Sequence, residues 1–447
     1  MNHSPLPEEE IENPEGHSRS GIGLPSYTCH LGQRLISIAI AAGAAYHAGT
    51  MPARALEGLT VVELNTTQAA AYASKLMADL GADVIKVEPP HGDAARALGP
   101  FPGHAPHPEK SGTFLYLNTN KLGVTLDIAT PSGRELLDKL LTKADVVVHD
   151  FSPSQAESLG LTWNRIHALN EALVMTEIFP YGASGPKRDY KGEDLTLLSA
   201  GGWTWLNGWP QHPEMPPLKP YGMQSAYQGG VTAAISTMGA LFARLRGKAK
   251  GQHIEVSVQE SIASILEMTL PMWSYMDVPA VRWGNRPIQP IDFFQCKDGA
   301  WIFVLSIEEH QWQRLAELMG NPEWTTWDVA ANRFTRASNW DALRPFMEEW
   351  ATQWNAADLY HAAQEKRIPF APVSTLGDLV NSEHLQARGF FVEVTHPEVG
   401  TLKHAGAPYK LSKTPWEIRS PAPTLGQHND AVFSKLGLSP DEVKGAA

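Results

Sequence analysis

The first clear pattern of apolar and polar positions in the chain reads strand, helix, strand. Leu59–Leu64 is a short apolar run rich in β-branched residues, which is typical of a buried strand. Thr66 or Thr67 then offers a hydroxyl that can accept a hydrogen bond from the first turn of a helix. Val84–Val87 is the second strand. This short unit predicts two parallel strands joined by a right-handed crossover, with a ligand site at their carboxyl ends.

The same alternation continues through the first half of the chain. Strands are predicted at Val124–Ile128, Asp145–Val148, Leu173–Ile178 and His253–Val258, and helices from Thr130 onward, at Trp163–Leu169 and at Gly229–Arg246. Strands that alternate with helices favour a parallel sheet covered by helices, so the predicted fold class is α/β. No GxGxxG motif follows any of these strands, which argues against a dinucleotide-binding fingerprint.

Two parts of the chain depart from this alternation. Residues 179–222 are rich in Gly, Pro and Trp and are too long for an ordinary connection, and long loops of this kind are usually functional. From residue 288 a hairpin pattern appears, followed by amphipathic helices, which predicts a second, smaller α+β domain. Residues 1–50 precede the first strand as an appendage, either a disordered extension or an artefact of the start site.

Composition narrows the class of protein. The net charge of −12 and the lack of a basic block make a nucleic-acid surface unlikely for the 447-residue chain. Two cysteines cannot build a disulfide framework, and no apolar run is long enough to span a membrane, so a cytoplasmic protein is predicted. His91, His104 and His107 match no metal-binding spacing, and no metal site is predicted.

Several motifs together resemble the family III CoA-transferases, the CaiB/BaiF-like family that also contains formyl-CoA transferase and α-methylacyl-CoA racemase. They occur in the family's order and include LEGLTVVEL, LGADVIKVEPPHGD, YGASGPKRDYKGEDL, GQHIEVSVQESI and LGQHNDAVFSKLG. The resemblance implies a Rossmann-like large domain, a smaller domain and two chains interlocked as a dimer. It also implies CoA and acyl-CoA as substrates, with no tightly bound cofactor.

The resemblance sets the predicted domain boundaries. They are an N-terminal extension at 1–54, a large Rossmann-like domain at 55–250, a linker at 251–287, a small α+β domain at 288–385 and a C-terminal return to the large domain at 386–447.

The chemistry implied by the resemblance needs a carboxylate nucleophile. In the family an aspartate attacks the acyl-CoA thioester and forms a mixed anhydride, and CoA thiolate then gives an enzyme-bound aspartyl thioester. Here the corresponding segment reads YGMQSAYQGGVTAAISTMGALFARLRG, which places Ala226 at the aspartate position, or Ser225 after a one-residue slip. No Asp or Glu occurs between Glu214 and Glu255, so no shift of register supplies the carboxylate.

Other positions also lack the catalytic or CoA-binding residues of the family pattern. Ser158 stands where the family usually has an arginine that helps to hold CoA phosphates. Glu193 stands at the position of the racemase histidine, and WGNRPIQP replaces the glycine-rich loop of formyl-CoA transferase.

Five residues keep a predicted role through the resemblance. Gln68, Ala69, Leu126 and Lys191 are predicted to bind CoA, and Asp194 is the remaining candidate for a catalytic acid. Asp194 has an equally weighted alternative role as a structural carboxylate that caps the turn after Gly192.

Three functions stay open at this stage. The first is a subunit of a heteromeric family III CoA-transferase whose paralogous partner supplies the aspartate, as in benzylsuccinate CoA-transferase. The second is an active homodimer that uses Asp194. The third is a non-catalytic protein that binds an acyl-CoA or a hydrophobic carboxylic acid, with Trp203, Trp205 and Trp209 lining an apolar pocket that favours a bulky or aromatic group.

Overall fold

The computed structural model describes residues 53–64, 67–209, 212, 214–266, 268–282 and 288–437. The predicted extension at 1–54 lies outside the described residues except for its last two positions, and so do Thr66 and the first five residues of WGNRPIQP.

Six parallel strands form the main sheet. They are β1 (Thr60–Leu64), β2 (Asp83–Glu88), β3 (Lys121–Thr125), β4 (Val146–His149), β5 (Val174–Phe179) and β6 (Gln252–Ser257). Their order across the sheet is β3-β2-β1-β4-β5-β6, with Val61 opposite Val84 on one side and Val146 on the other. The order reverses between β1 and β4, as in doubly wound nucleotide-binding sheets. The predicted α/β, Rossmann-like fold class is confirmed.

Helices connect these strands and continue beyond them. In chain order the α-helices of the described residues are α1 (Gln68–Asp79), α2 (Gly112–Leu117), α3 (Pro131–Leu141), α4 (Pro153–Ser158), α5 (Trp163–Leu169), α6 (Asp194–Ala200), α7 (Trp203–Leu206), α8 (Gln224–Leu245), α9 (Val258–Ala263), α10 (Thr269–Met276), α11 (Glu309–Leu318), α12 (Arg333–Ser338), α13 (Trp340–Ala351), α14 (Ala356–Glu365), α15 (Leu376–Asn381), α16 (Glu383–Ala387) and α17 (Asn429–Phe433). Short 3-10 turns occur at Ala94–Ala97, Pro102–His104, Glu323–Thr326, Asp328–Ala330 and Ser434–Leu436. None of the helices in this part of the chain is long and apolar enough to cross a membrane.

Two apolar layers cover the faces of the main sheet. On one face, Val61 and Val84 pack with residues of α1, α8 and α9, including Ala73 and Ala233. On the other face, residues of α3 and α5 pack with the sheet, and Phe433 of α17 joins them. The sheet is therefore buried on both sides, which explains why its strands read as nearly continuous apolar runs.

Two predicted elements are displaced in the structure. The strand predicted at Val124–Ile128 is wrong by three residues, because β3 begins at Lys121, whose ammonium is buried against Glu63 at 2.7 Å. A prediction from hydropathy does not place a lysine in a buried strand, so it missed the first residues of β3. The helix predicted from Gly229 begins at Gln224, because a side chain from a distant segment accepts a hydrogen bond from an amide of its first turn.

The segment predicted as a linker, 251–287, includes the last strand of the sheet. β6 lies parallel to β5 with Ile254 opposite Thr176, and α9 follows it directly.

Two smaller antiparallel sheets follow in the chain. β7 (Ile291–Gln295), β8 (Trp301–Leu305) and β9 (Phe370–Pro372) form one of them, and β10 (Phe391–His396) and β11 (Gly400–Ala405) form the other. The first sheet packs on α11, α13 and α14 around a separate apolar cluster that contains Phe294, Leu315 and Leu343. This α+β arrangement agrees with the fold class predicted for this part of the chain.

The C-terminal residues return to the edge strand of the main sheet. The amide of Gly123 donates to His428 Nδ1 at 3.0 Å, and the amide of Thr125 donates to Asn429 Oδ1 at 2.9 Å. The edge of β3 is thereby covered by the chain's own C-terminal segment.

Candidate active site at the switch point of the sheet

A cavity of about 360 Å³ opens where the strand order of the main sheet reverses. Its walls come from the residues that follow β1, β4, β5 and β6 and from the first turns of α1, α6 and α8. They include Gln68, Ala69, Asp150, Asp194 and Ala226. This is the location that the parallel topology favours for a ligand.

The first wall is built by the start of α1. Thr67 caps the helix, and its side chain accepts a hydrogen bond from the Ala69 amide. Asp150, which follows β4, accepts hydrogen bonds from the Thr67 hydroxyl at 2.6 Å and from the Ala70 amide at 3.3 Å. A buried carboxylate of this chain thus occupies the positively polarised end of α1.

The opposite wall is built by Asp194 and the start of α8. Asp194 Oδ1 accepts hydrogen bonds from the amide of Ser225 at 2.8 Å and from its hydroxyl at 2.7 Å. Asp194 Oδ2 lies 2.5 Å from the ammonium of Lys219. Both oxygens of this carboxylate therefore have protein partners, and the side chain caps α8 from a separate segment of the chain.

Apolar side chains form much of the remaining lining. Ile178, Leu197, Met223 and Val258 contribute to it together with Ala226. Ala226 is partly buried and packs against the apolar layer on that face of the sheet. Position 226 thus lies on the cavity wall directly after Ser225, which donates to Asp194.

The structure brings some of the predicted site residues together and separates others. Gln68, Ala69, Asp194 and Ala226 line one cavity. Leu126 is 1% exposed and packs in the apolar layer on the other face of the sheet. Lys191 is exposed, one residue before Gly192 of the cavity wall, and is not among the described residues that line it. The roles predicted for these residues stay predictions.

Two residues of the site were missed by sequence reasoning. Asp150 follows β4 at the carboxyl end of the strand, and that position was a signal that could have identified it. Lys219 lies in the long Gly- and Pro-rich segment, where no periodicity indicates which side chain meets which.

Other candidate residues lie outside the cavity. The indole of Trp205 donates to the carbonyl of Ala280 at 2.8 Å, and none of the three tryptophans Trp203, Trp205 and Trp209 is among the described residues that line the cavity. Ser158 ends α4, is exposed and donates to the carbonyl of Gln155. Within the described ranges no group of three or more His, Cys, Asp or Glu side chains could hold a metal ion.

A carboxylate–imidazole cluster lies behind the cavity, on the strands β4, β5 and β6. The imidazole of His149 is 3.0 Å from Glu177, and His253 pairs with the other oxygen of the same carboxylate. Burial opposes ionisation of Glu177, but the two histidines outweigh it and lower the pKa of its carboxyl to about 2. The hydrogen bond to Glu177 raises the pKa of His253 above its usual value.

Known proteins share this architecture and sequence pattern. The model of CoA-transferase family III matches residues 56–429. Succinyl-CoA–D-citramalate CoA-transferase of Chloroflexus aurantiacus is 30% identical over 88% of this chain and 96% of its own length. Subunit BbsE of succinyl-CoA:(R)-benzylsuccinate CoA-transferase of Thauera aromatica is 29% identical over 83% of this chain and 92% of its own length.

A solved structure agrees with these relatives. A CaiB/BaiF family protein from Brucella suis superposes with a TM-score of 0.78 at 28% identity, over 86% of this chain and 99% of the other. The family match spans the cavity, the strands that position it and the small α+β part. The chain therefore belongs to CoA-transferase family III.

Proposed function

We propose that this chain is the nucleophile-lacking subunit of a heteromeric family III CoA-transferase, which moves CoA between an acyl-CoA and a carboxylic acid. A paralogous subunit supplies the catalytic aspartate. The observation that carries the proposal is that the cavity is lined by Ala226, the residue that the sequence resemblance aligns with the family's aspartate. A methyl side chain cannot form the acyl anhydride that covalent CoA transfer requires.

The state of the neighbouring carboxylates supports this proposal. Asp194 is held by Ser225 and Lys219, and Asp150 is held by Thr67 and Ala70. Each of these carboxylates thus stabilises the start of a helix, and this structural role accounts for its presence in the cavity without a role as nucleophile.

The relatives support the oligomeric part of the proposal. One of them is named as a subunit of a CoA-transferase, so the family includes enzymes described by subunit. The family resemblance implies an interlocked dimer, here formed with a paralogue. Each chain of such a dimer must keep its fold to hold its partner, even where one chain has lost its nucleophile.

Restoring the carboxylate tests the proposal on the chain itself. Ala226→Asp, incubated with an acyl-CoA and hydroxylamine, is expected to yield a hydroxamate at position 226 in the peptide map. The wild type and the isosteric control Ala226→Asn are expected to give none. Circular dichroism on all three proteins checks that they fold alike.

Purification from the native source provides an independent test. The tagged full-length chain is expected to copurify with a paralogue that carries the aspartate, and the pair should exchange CoA between thioester and acid. CoA exchange by the wild-type chain alone, as a homo-oligomer, would refute the proposal.

A second candidate is an active homodimer that uses Asp194 as the nucleophile. The specific observation in its favour is that Asp194 lines the same cavity, beside the position expected for the nucleophile. This function predicts a hydroxylamine adduct on Asp194 of the wild-type chain and its loss in Asp194→Asn. An unmodified Asp194 under conditions that label the Ala226→Asp variant would eliminate this candidate.

A further inference from the structure

We propose that the cavity binds thioesters whose acyl chain carries no further charge, and that it discriminates against dicarboxylic acyl groups. The inference rests on the proposed function, in which an acyl-CoA enters this cavity. The starts of α1 and α8 and the ammonium of Lys219, which could each attract a second carboxylate, are already matched to carboxylates of the chain itself.

The starts of α1 and α8, two of the three helices whose first turns border the cavity, are the first such features. The N-terminus of an α-helix attracts anions through its free amides and its dipole. At α1 this place is taken by Asp150, and at the 22-residue helix α8 it is taken by Asp194. A substrate carboxylate at either end would meet a like charge instead of a free amide.

The ammonium of Lys219 is the second feature. An ammonium group has three N–H donors. Lys219 donates to the carbonyl of Pro220 at 2.8 Å and to the carbonyl of Gly222 at 2.6 Å, and its ammonium forms an ion pair with Asp194 Oδ2 at 2.5 Å. Recruiting this cation to a substrate would remove the counter-ion of Asp194.

The remainder of the lining offers no cation. Lys, Arg and His are absent from the described residues that line the cavity, whereas Asp150, Glu193 and Asp194 are among them. Apolar side chains make up much of the surface around Ala226, and the remaining polar side chains of Thr67, Gln68 and Ser225 carry no charge. A second carboxylate would lose its hydration and gain no cationic partner, while an alkyl or aryl chain would bury apolar surface. This selectivity differs from the succinyl donors named for the two relatives above.

Calorimetry with two thioesters of equal carbon number isolates the charge. Valeryl-CoA and glutaryl-CoA differ at the chain end, a methyl in one and a carboxylate in the other. We expect the full-length protein to bind valeryl-CoA at least tenfold more tightly than glutaryl-CoA, with free CoA as the reference.

Two variants test the electrostatic cause. Met223→Arg adds a cation to the lining and is expected to shift the ratio of the two affinities at least tenfold toward glutaryl-CoA. Met223→Gln, similar in length and uncharged, should leave the ratio within about twofold. Glu193→Gln removes an exposed acid of the wall and should shift the ratio of the two affinities severalfold toward glutaryl-CoA.

The outcomes separate this inference from the proposed function. Equal or tighter binding of glutaryl-CoA by the wild type overturns the inference and leaves the proposed function in place. Tenfold selectivity for valeryl-CoA in a chain that exchanges CoA alone supports the inference while the heteromeric proposal fails. If valeryl-CoA, glutaryl-CoA and free CoA all fail to bind, both fall.

Discussion

At the scale of single residues, the charged side chains buried in the main sheet form ion pairs with one another. Glu63 accepts from Ser74 and lies 2.9 Å from Lys86 and 2.7 Å from Lys121. Lys86 also lies 2.6 Å from Asp93. Burial opposes ionisation of Glu63, but Lys121 and Lys86 outweigh it and lower the pKa of its carboxyl to about 2. These charges connect β1, β2 and β3 beneath the site.

Removing one member of this group should be severe. Lys86→Met leaves Glu63 and Asp93 buried without their shared cation, and we expect a loss of roughly 3–5 kcal/mol in the free energy of unfolding. Lys139→Met breaks an exposed helix pair with Glu135 and should cost less than about 0.5 kcal/mol. Urea denaturation of both variants measures the difference, and equal losses would contradict a structural role for the buried group.

At the scale of elements, α1 and α8 pack closely against each other at Gly230. A Cβ atom added at Gly230 of α8 would lie 2.8 Å from the carbonyl oxygen of Ala69 and 3.1 Å from Cβ of Tyr72. The absence of a side chain at Gly230 therefore lets the two helices meet. Since both helices begin at the cavity, this contact also fixes the distance between its walls.

Glycine substitutions at two positions of the same helix test this contact. Gly230→Ala should destabilise the protein by about 1–3 kcal/mol despite the better helix propensity of alanine, because backbone atoms must shift. Gly239→Ala meets nothing within 4 Å and should stabilise by about 0.5–1 kcal/mol. Thermal unfolding of both variants provides the comparison, and a stabilising Gly230→Ala would show that the helices have room to spare.

The pairing of β5 with β6 adds a pH dependence. The hydrogen bond to Glu177 raises the pKa of His253. The pair therefore contributes fully to the free energy of unfolding below the ordinary histidine pKa of 6.5, and this contribution is lost as the pH rises through the raised pKa. The lowered pKa of Glu177 means that the contribution also declines below pH 4.5, toward about 2.

A variant without the imidazole should therefore lose stability mainly over a limited range of pH. His253→Gln is expected to lose about 1 kcal/mol of stability between pH 4.5 and 6.5, after screening of the partly exposed ring, and less at higher pH. Melting temperatures of the two proteins across pH 4 to 9 measure the difference. A deficit that stays constant with pH would exclude the ionised pair as its cause.

At the scale of the whole molecule, residues far apart in sequence complete the main sheet. The side chain of Asn429 both accepts from the Thr125 amide and donates to the Thr125 hydroxyl at 2.8 Å. The side chain of Asn120 accepts from the amide of Arg419 at 2.6 Å and donates to the carbonyl of Glu417 at 2.8 Å. The C-terminal segment thus acts as a lateral cover for β3.

Loss of this cover should be visible both locally and globally. Asn429→Ala is expected to cost about 1–2 kcal/mol and to speed hydrogen exchange at the Thr125 amide. Asn381→Ala, at an exposed position that ends α15, should change stability by less than about 0.5 kcal/mol. Unchanged exchange at Thr125 would mean that the C-terminal contact does not protect the edge strand.

Sequence patterns were sufficient for most of the large domain because its elements follow from local chemistry. β-branched runs, Thr130 before Pro131 and the stripe of α3 each act within a few residues, and α5 lies where it was predicted. The shifted start of β3 was not predictable in this way, because the charge of Lys121 is buried in the strand and is neutralised by Glu63 of β1. The early start of α8 has the same origin, because its cap, Asp194, lies 31 residues away from Ser225.

By itself, the sequence determined the fold class, the family and the absence of a carboxylate at position 226, because these depend on residue identity and local periodicity. Tertiary structure decided what the remaining acids do. Only the folded chain brings Asp194 against Ser225 and Lys219, and Asp150 against the start of α1. Whether a carboxylate attacks a thioester or holds a helix depends on which distant donors reach its oxygens. Those contacts form only when the strands and helices around the cavity have packed.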